Sequence, residues 1–203
     1  MISKNLSIKM NKQEIRLKYK NNRNDEITKS INDLIISLNI KNICVYFPFK
    51  YELKINDLLI FLKNNNIDIY YPYMEKINDK VVMKIRKCEG NIVHDDLNIK
   101  SYYGNEIDYH IIDAFLIPGI AFNKDGFRIG HGAGFYDFTL KDYQGIKIGA
   151  CFSDNIVEDD FQEAHDIKMN YLVSDKEVIK IGDWYVWFNL TFSREGHKKW
   201  SWL

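Results

Sequence analysis

Residues 118–137 read PGIAFNKDGFRIGHGAGFYD, and this stretch holds most of the chain's chemical capacity. Gly126, Gly130, Gly132 and Gly134 alternate with Lys124, Arg128 and His131, and Phe135-Tyr136-Asp137 follow. An apolar run precedes the loop and a helix is predicted after it. Glycines let backbone N–H groups approach a ligand closely, and a helix N-terminus adds partial positive charge. Lys124 and Arg128 supply full charges. The chemistry this suits is binding of a phosphate-bearing ligand.

The loop is not a Walker A sequence, because no Gly-Lys-Ser/Thr follows the glycines. Nor is it a strict G-x-G-x-x-G, because Phe135 takes the sixth position. Taken alone, such a turn is tight chain geometry about as often as a ligand site. Its charged neighbours favour the ligand. Asp137 would stand in the first helical turn, where the dipole favours a carboxylate. Its other reading is a Mg²⁺ ligand, since that ion takes one or two carboxylates with phosphate oxygens.

Glu52 lies just past a strand end among Tyr46, Phe47, Phe49 and Tyr51. It is either a solvated glutamate or a carboxylate that grips a heterocycle's amino and ring N–H groups while aromatics stack on it. His131 and His165-Asp166 have plain readings as a loop residue and a surface turn. No Ser/His/Asp order suggests a covalent hydrolase, and no histidine pairing suggests zinc.

The elements that must position these groups follow from periodicity. A basic arm over 8–23 reads as helix, and 26–38 and 55–63 as amphipathic helices. Strands are predicted at 43–47, 67–71, 80–87, 111–117, 146–152, 171–174 and 178–181, with Pro48 and Pro72 ending the first two. A helix is predicted over 134–143, and 89–105 reads as loop. The aromatic tail 184–203, with Trp184, Trp187, Trp200 and Trp202, has no assigned role, although YVWFNLTF within it could be a strand. Strands alternating with helices predict one α/β domain with a mainly parallel sheet covered on both faces. Ligands then collect at the C-terminal strand ends, which here are the 47–52, 72–76 and 118–134 connections.

Composition narrows the function. In 203 residues, Lys+Arg and Asp+Glu both number 28, giving a formal net charge of zero. Broad electrostatic binding of nucleic acid or anionic membrane is therefore not expected. Cys44, Cys88 and Cys151 are far apart and lack C-x-x-C spacing, as suits reduced thiols in a cytosolic protein. The start, MISKNLSIKMNKQEIRLKYK, lacks the apolar core of a secretory signal, though it leaves organellar targeting open.

The pattern P-G-x-A-F-x-x-x-G-x-R-x-G-x-G-x-G-x-Y-D over 118–137 resembles the signature of the 5-formyltetrahydrofolate cyclo-ligase, or methenyltetrahydrofolate synthetase, family. Three further pieces fall in that family's order. Lys12-Gln13-Glu14-Ile15-Arg16, with Arg23 beyond, resembles its basic N-terminal arm. Tyr46 followed by Glu52 resembles its folate-holding region, and His165-Asp166-Ile167-Lys168-Met169 resembles a late H-D motif. The resemblance spans roughly 10–181.

It implies a Rossmann-like three-layer α/β sandwich and ATP-dependent closure of 5-formyltetrahydrofolate to 5,10-methenyltetrahydrofolate, with Mg²⁺ required. Lys12 and Arg16 would contact the ATP phosphates. Arg128, Gly130, His131, Gly132, Ala133, Gly134, Phe135, Tyr136 and Asp137 would form the nucleotide cradle, with Arg128 and Tyr136 catalytic. Tyr46 and Glu52 would hold the folate, and Asp137 and Asp166 the Mg²⁺. Small molecules would be the only partners, and the chain would act as a monomer. The sequence departs from the family's usual pattern at Ala133, Phe135, Phe138 and Asn170. Two other readings stand beside this one: a sugar-phosphate isomerase-like enzyme on a related scaffold, and a noncatalytic folate- or nucleotide-binding protein.

Overall fold

In the computed structural model, which describes residues 10–21 and 23–182, the apolar runs become strands of one sheet. The first half contains α1 (Lys12–Tyr19), α2 (Ser30–Ser37), β1 (Asn42–Cys44), α3 (Asn56–Asn64), β2 (Asp68–Ile77), β3 (Lys80–Lys87), β4 (Ile92–His94), β5 (Lys100–Tyr102) and β6 (Glu106–Ile107). The second contains β7 (Ala114–Pro118), β8 (Ala121–Asn123), β9 (Arg128–Ile129), α4 (Phe135–Thr139), β10 (Ile146–Ala150), β11 (Ile156–Val157), β12 (Tyr171–Val173) and β13 (Val178–Lys180).

The main sheet has the order β13-β12-β10-β7-β1-β2-β3-β6. The run from β12 to β2 is parallel, and β13, β3 and β6 add antiparallel edges. Alternation along the central strands supplies both faces with apolar groups, as a buried parallel sheet requires. Ile43, Ile69, Ala114, Leu116 and Ile148 pack with Ile31 and Ile35 of α2 and Leu58 and Leu62 of α3. On the other face Cys44, Tyr70, Phe115, Ile117 and Leu172 pack with Leu140, Tyr143, Ile167 and Met169. Helical cover is therefore uneven. One face has α2 and α3, while the other has the five-residue α4 and non-helical chain.

A smaller sheet, β11-β8-β9, carries the loop that leaves β7. The basic arm is helical only over α1, whose Ile15 is fully buried with Ile120, Ala121, Ile129, Val157 and Phe161. An Asn11 side chain accepts from the Gln13 and Glu14 N–H groups, and Glu14 caps back onto Asn11, so α1 starts on a capping box.

Besides the shorter arm helix, the strand expected over 43–47 ends at Cys44, and four further expectations change. Strand β2 runs on through Pro72 to Ile77, because its parallel register with β1 ends at Tyr70 and no β1 neighbour needs the missing N–H. The 89–105 stretch holds the hairpin β4–β5. The strand expected from residue 111 begins at Ala114, since the Asp113 carboxylate accepts from the Lys41 and Asn42 N–H groups at 2.7 and 2.9 Å. The helix expected over 134–143 is limited to α4. The strand suggested by YVWFNLTF lies outside the described residues, as does the rest of the tail.

Strand β1 sits where the chain reverses direction across the sheet. The chain moves outward through β2 and β3, then returns to β1's other side through β7, β10 and β12. Such a reversal leaves a crevice beyond the carboxyl ends of the two strands that flank it. The connections leaving β1 and β7 are 45–55 and the glycine-rich loop.

Candidate active site

A cavity of about 1010 Å³ occupies that crevice. Every residue to which the family resemblance assigned a role lines it, from Lys12 and Arg16 through Tyr46, Glu52 and the 128–137 loop to Asp166. Lys124 does not; it pairs with exposed Glu158 away from the cavity. Arg23 also stays outside, paired with Asp25 and Asp154 and stacked on Phe152.

The cationic end is built around Arg128. Its Nη2 donates to Asp137 Oδ2 at 2.6 Å, with the two side chains 8% and 14% exposed. The guanidinium lies over the Tyr136 ring and passes so close to Gly130 that a side chain there would collide with it. Its Nε is buried without a hydrogen-bond partner, which leaves donor capacity unused by the protein. Arg16 reaches the loop from α1, its Nε donating to the Gly130 carbonyl at 2.9 Å. Gly132 and Gly134 take φ of 101° and 67°, a left-handed backbone that favours glycine. Because α4 has five residues, Arg16, Arg128 and Lys12 supply more of the positive potential than its dipole does.

The other end is aromatic around one buried acid. Glu52 is 3% exposed. Its Oε2 accepts from the Phe49 N–H at 3.0 Å, and its Oε1 lies 3.2 Å from His131 Nε2. Tyr46 lines the cavity, and its hydroxyl donates to the Leu53 carbonyl. Burial pushes the Tyr136 and Tyr46 hydroxyls well above the usual phenol range, and the negative charge of Glu52 adds to this. Both phenols therefore stay protonated.

The two carboxylates assigned to Mg²⁺ are already engaged. Besides Arg128, Asp137 accepts from the Ile167 N–H at 3.3 Å. Asp166 accepts from Lys12 Nζ and the Glu163 N–H, both at 2.8 Å. Among the described residues no group of three His, Cys, Asp or Glu side chains converges as a metal cage. What fits is an ion carried in by phosphate oxygens that needs only one protein carboxylate.

Sequence reasoning missed part of the wall. Met74 of β2, together with Leu97, Ile99 and Lys100 from the β4–β5 hairpin, also lines the cavity, and Glu163 lies beside Lys12. The Asp95-Asp96-Leu97-Asn98 turn was the available signal for that hairpin. Of the departures from the family pattern, Ala133 and Phe135 line the cavity and Phe138 and Asn170 do not. Phe138 is 81% exposed. Asn170 Oδ1 accepts from the Lys147 N–H, joining β10 to the segment before β12. Phe135 packs partly buried against the second core face. Only Ala133 lies on the exposed rim of the loop. Among the described residues, no helix is long and apolar enough to cross a membrane.

Residues 5–175 match the profile of the 5-formyltetrahydrofolate cyclo-ligase family. A 5-formyltetrahydrofolate cyclo-ligase of Mycoplasma genitalium is 34% identical over 123 residues, 59% of this chain and 64% of that protein. The matched stretches span less than two thirds of the length of this and similar curated relatives. The NMR structure of Aquifex aeolicus 5,10-methenyltetrahydrofolate synthetase superposes with a TM-score of 0.63 at 20% identity, covering 89% of this chain and 96% of that one. A 5,10-methenyltetrahydrofolate synthetase from Mycoplasma pneumoniae superposes at 0.56 with 26% identity, covering 81% and 96%.

Proposed function

The chain belongs to the 5-formyltetrahydrofolate cyclo-ligase family, and from that membership we propose that it closes 5-formyltetrahydrofolate to 5,10-methenyltetrahydrofolate while converting ATP to ADP and phosphate. One observation carries the reading. A single cavity joins a cationic, glycine-built end to an aromatic end with a buried carboxylate. A triphosphate suits the first end, and a reduced pterin suits the second.

Lys12, Arg16, Arg128 and the loop N–H groups cradle the phosphates. Glu52 holds the pterin's amino and ring N–H groups, and Tyr46 lines the wall beside it. The formyl oxygen attacks the γ-phosphorus, the bond to the β-γ bridging oxygen breaks, and ADP leaves. The phosphorylated imidate carbon is then attacked by N10. A C–N bond forms, the C–O bond breaks, phosphate departs and the N10 proton passes to solvent. Such transfer needs positioning and charge neutralisation rather than a protein nucleophile. Arg128 supplies charge at the transferring group, and the protonated Tyr136 hydroxyl donates beside it. Mg²⁺ brought with the triphosphate, with Asp137 or Asp166 as its protein carboxylate, would supply further neutralisation of the phosphates.

Every residue given a role here comes from one chain, which suits a monomer, and the free thiols suit the cytosol. Protein mixed with 5-formyltetrahydrofolate, ATP and Mg²⁺ is expected to generate the methenyl chromophore with ADP formed in equal amount. Folded protein that produces neither overturns the proposal. Ligand binding without ADP formation selects the noncatalytic reading instead.

A further inference from the structure

His131 belongs to the glycine loop by its backbone and to the opposite end of the cavity by its side chain. The imidazole lies against the Tyr51 ring at 5.2 Å and meets the Phe49 ring edge-on at 5.6 Å. Its Nε2 faces Glu52 Oε1 at 3.2 Å, and its Nδ1 faces the Tyr51 hydroxyl at 3.5 Å. Nε2 must carry a proton, because a bare nitrogen lone pair facing a carboxylate oxygen would repel it. Nδ1 can then accept from Tyr51, whose hydroxyl burial keeps protonated. All these partners come from residues 49–52, and none from the phosphate-binding groups.

We propose that His131 is a positioning residue for the folate end, not a nucleotide contact. Its Nε2–H and the Phe49 N–H take one oxygen each of Glu52, fixing the plane in which that carboxylate meets the pterin. Phe49 and Tyr51 hold the ring, so the hydrogen bond is set before substrate arrives. The glycine loop is thereby tied to the folate clamp through one side chain. This inference rests on the cyclo-ligase reading, in which Glu52 holds the pterin.

Two variants separate hydrogen bond from packing. His131→Phe keeps a ring between Phe49 and Tyr51 but removes the N–H, whereas His131→Gln keeps an N–H and loses the ring. Affinities for 5-formyltetrahydrofolate and, separately, for a non-hydrolysable ATP analogue are measured by titration calorimetry. His131→Phe is expected to weaken the folate roughly ten-fold or more, the scale of one hydrogen bond to a charged group. His131→Gln is expected to stay within about three-fold of wild type, and both should leave the ATP analogue within about two-fold. In a Glu52→Ala background, His131→Phe should add less than about three-fold, because the shared partner is gone.

Folate binding by His131→Phe equal to wild type overturns the inference, and so does Gln binding as weakly as Phe. A loss confined to the ATP analogue also overturns it and returns His131 to the nucleotide. A wild-type protein that binds the ATP analogue but no 5-formyltetrahydrofolate removes the cyclo-ligase reading itself.

Discussion

Arg128 has two tasks, and they can be separated by measurement. It faces the cavity, and it also neutralises Asp137, whose other oxygen holds the Ile167 N–H. Arg128→Ala is therefore expected to lose turnover by about 100-fold or more. It should also lose about 3 kcal/mol of stability, because Asp137 is left unpaired in a largely buried position. Arg128→Lys keeps a charge for Asp137 but not the forked guanidinium, so stability should recover in part while turnover does not. Urea unfolding and the chromophore assay on the same preparations check both. An Arg128→Ala protein as stable as wild type would show that the ion pair is not structural. The sequence offered Arg128 and Asp137 as two separate ligands of a nucleotide complex. Residue types and spacing marked them as site residues, but only the irregular path of the loop makes them a pair. The Lys12–Asp166 contact, between residues 154 apart in the chain, was equally invisible for that reason.

The β4–β5 hairpin is the element through which the aromatic wall can be perturbed without touching a candidate catalytic group. Asp95 organises it. Its Oδ1 accepts from the Leu97 and Ile99 N–H groups at 2.9 Å, and its Oδ2 accepts from the Met74 N–H at 3.0 Å. The side chain thus bends the turn and pins it to β2. Asp95 is 7% exposed, and removing it leaves amide donors without partners. Asp95→Ala should cost about 1–3 kcal/mol, the penalty of an orphaned buried polar group. Affinity for 5-formyltetrahydrofolate should fall while that for an ATP analogue holds, because the hairpin contributes Leu97, Ile99 and Lys100 to the cavity wall but none of the groups assigned to the phosphates. Thermal unfolding with two separate titrations checks this, and equal weakening of both ligands would contradict it. Legibility from sequence followed burial. Strands β1, β7 and β10 were readable because a parallel strand covered on both faces is a continuous apolar run. The hairpin strands are three residues each and half exposed, so no apolar period marked them. Pro72 misled because the end of β1 lies in another part of the sequence.

At the scale of the whole molecule, burying the sheet on both faces also buries groups that titrate at high pH. Burial holds the Cys44 and Cys151 thiols and the Tyr46, Tyr71, Tyr136 and Tyr143 hydroxyls above their ordinary ranges. In the unfolded chain a thiol releases its proton near about 8.5 and a phenol near about 10. Between those values and the raised folded ones, the folded protein keeps protons that the unfolded chain gives up. The stability that depends on keeping them is complete below about pH 8.5 and is lost as pH rises further. Each fully buried phenol removes about 1.4 kcal/mol per pH unit above about 10. Burial lowers Lys147, which acts in the opposite direction, but it is one group against several. Urea midpoints measured from pH 7 to pH 11 should therefore be level at first and then fall with increasing steepness. Tyr46→Phe should reduce the fall above pH 10 by about one group's share, since the variant ring has no proton to lose. A midpoint that stays constant to pH 11 would mean that these thiols and phenols reach solvent, contrary to a sheet packed on both faces.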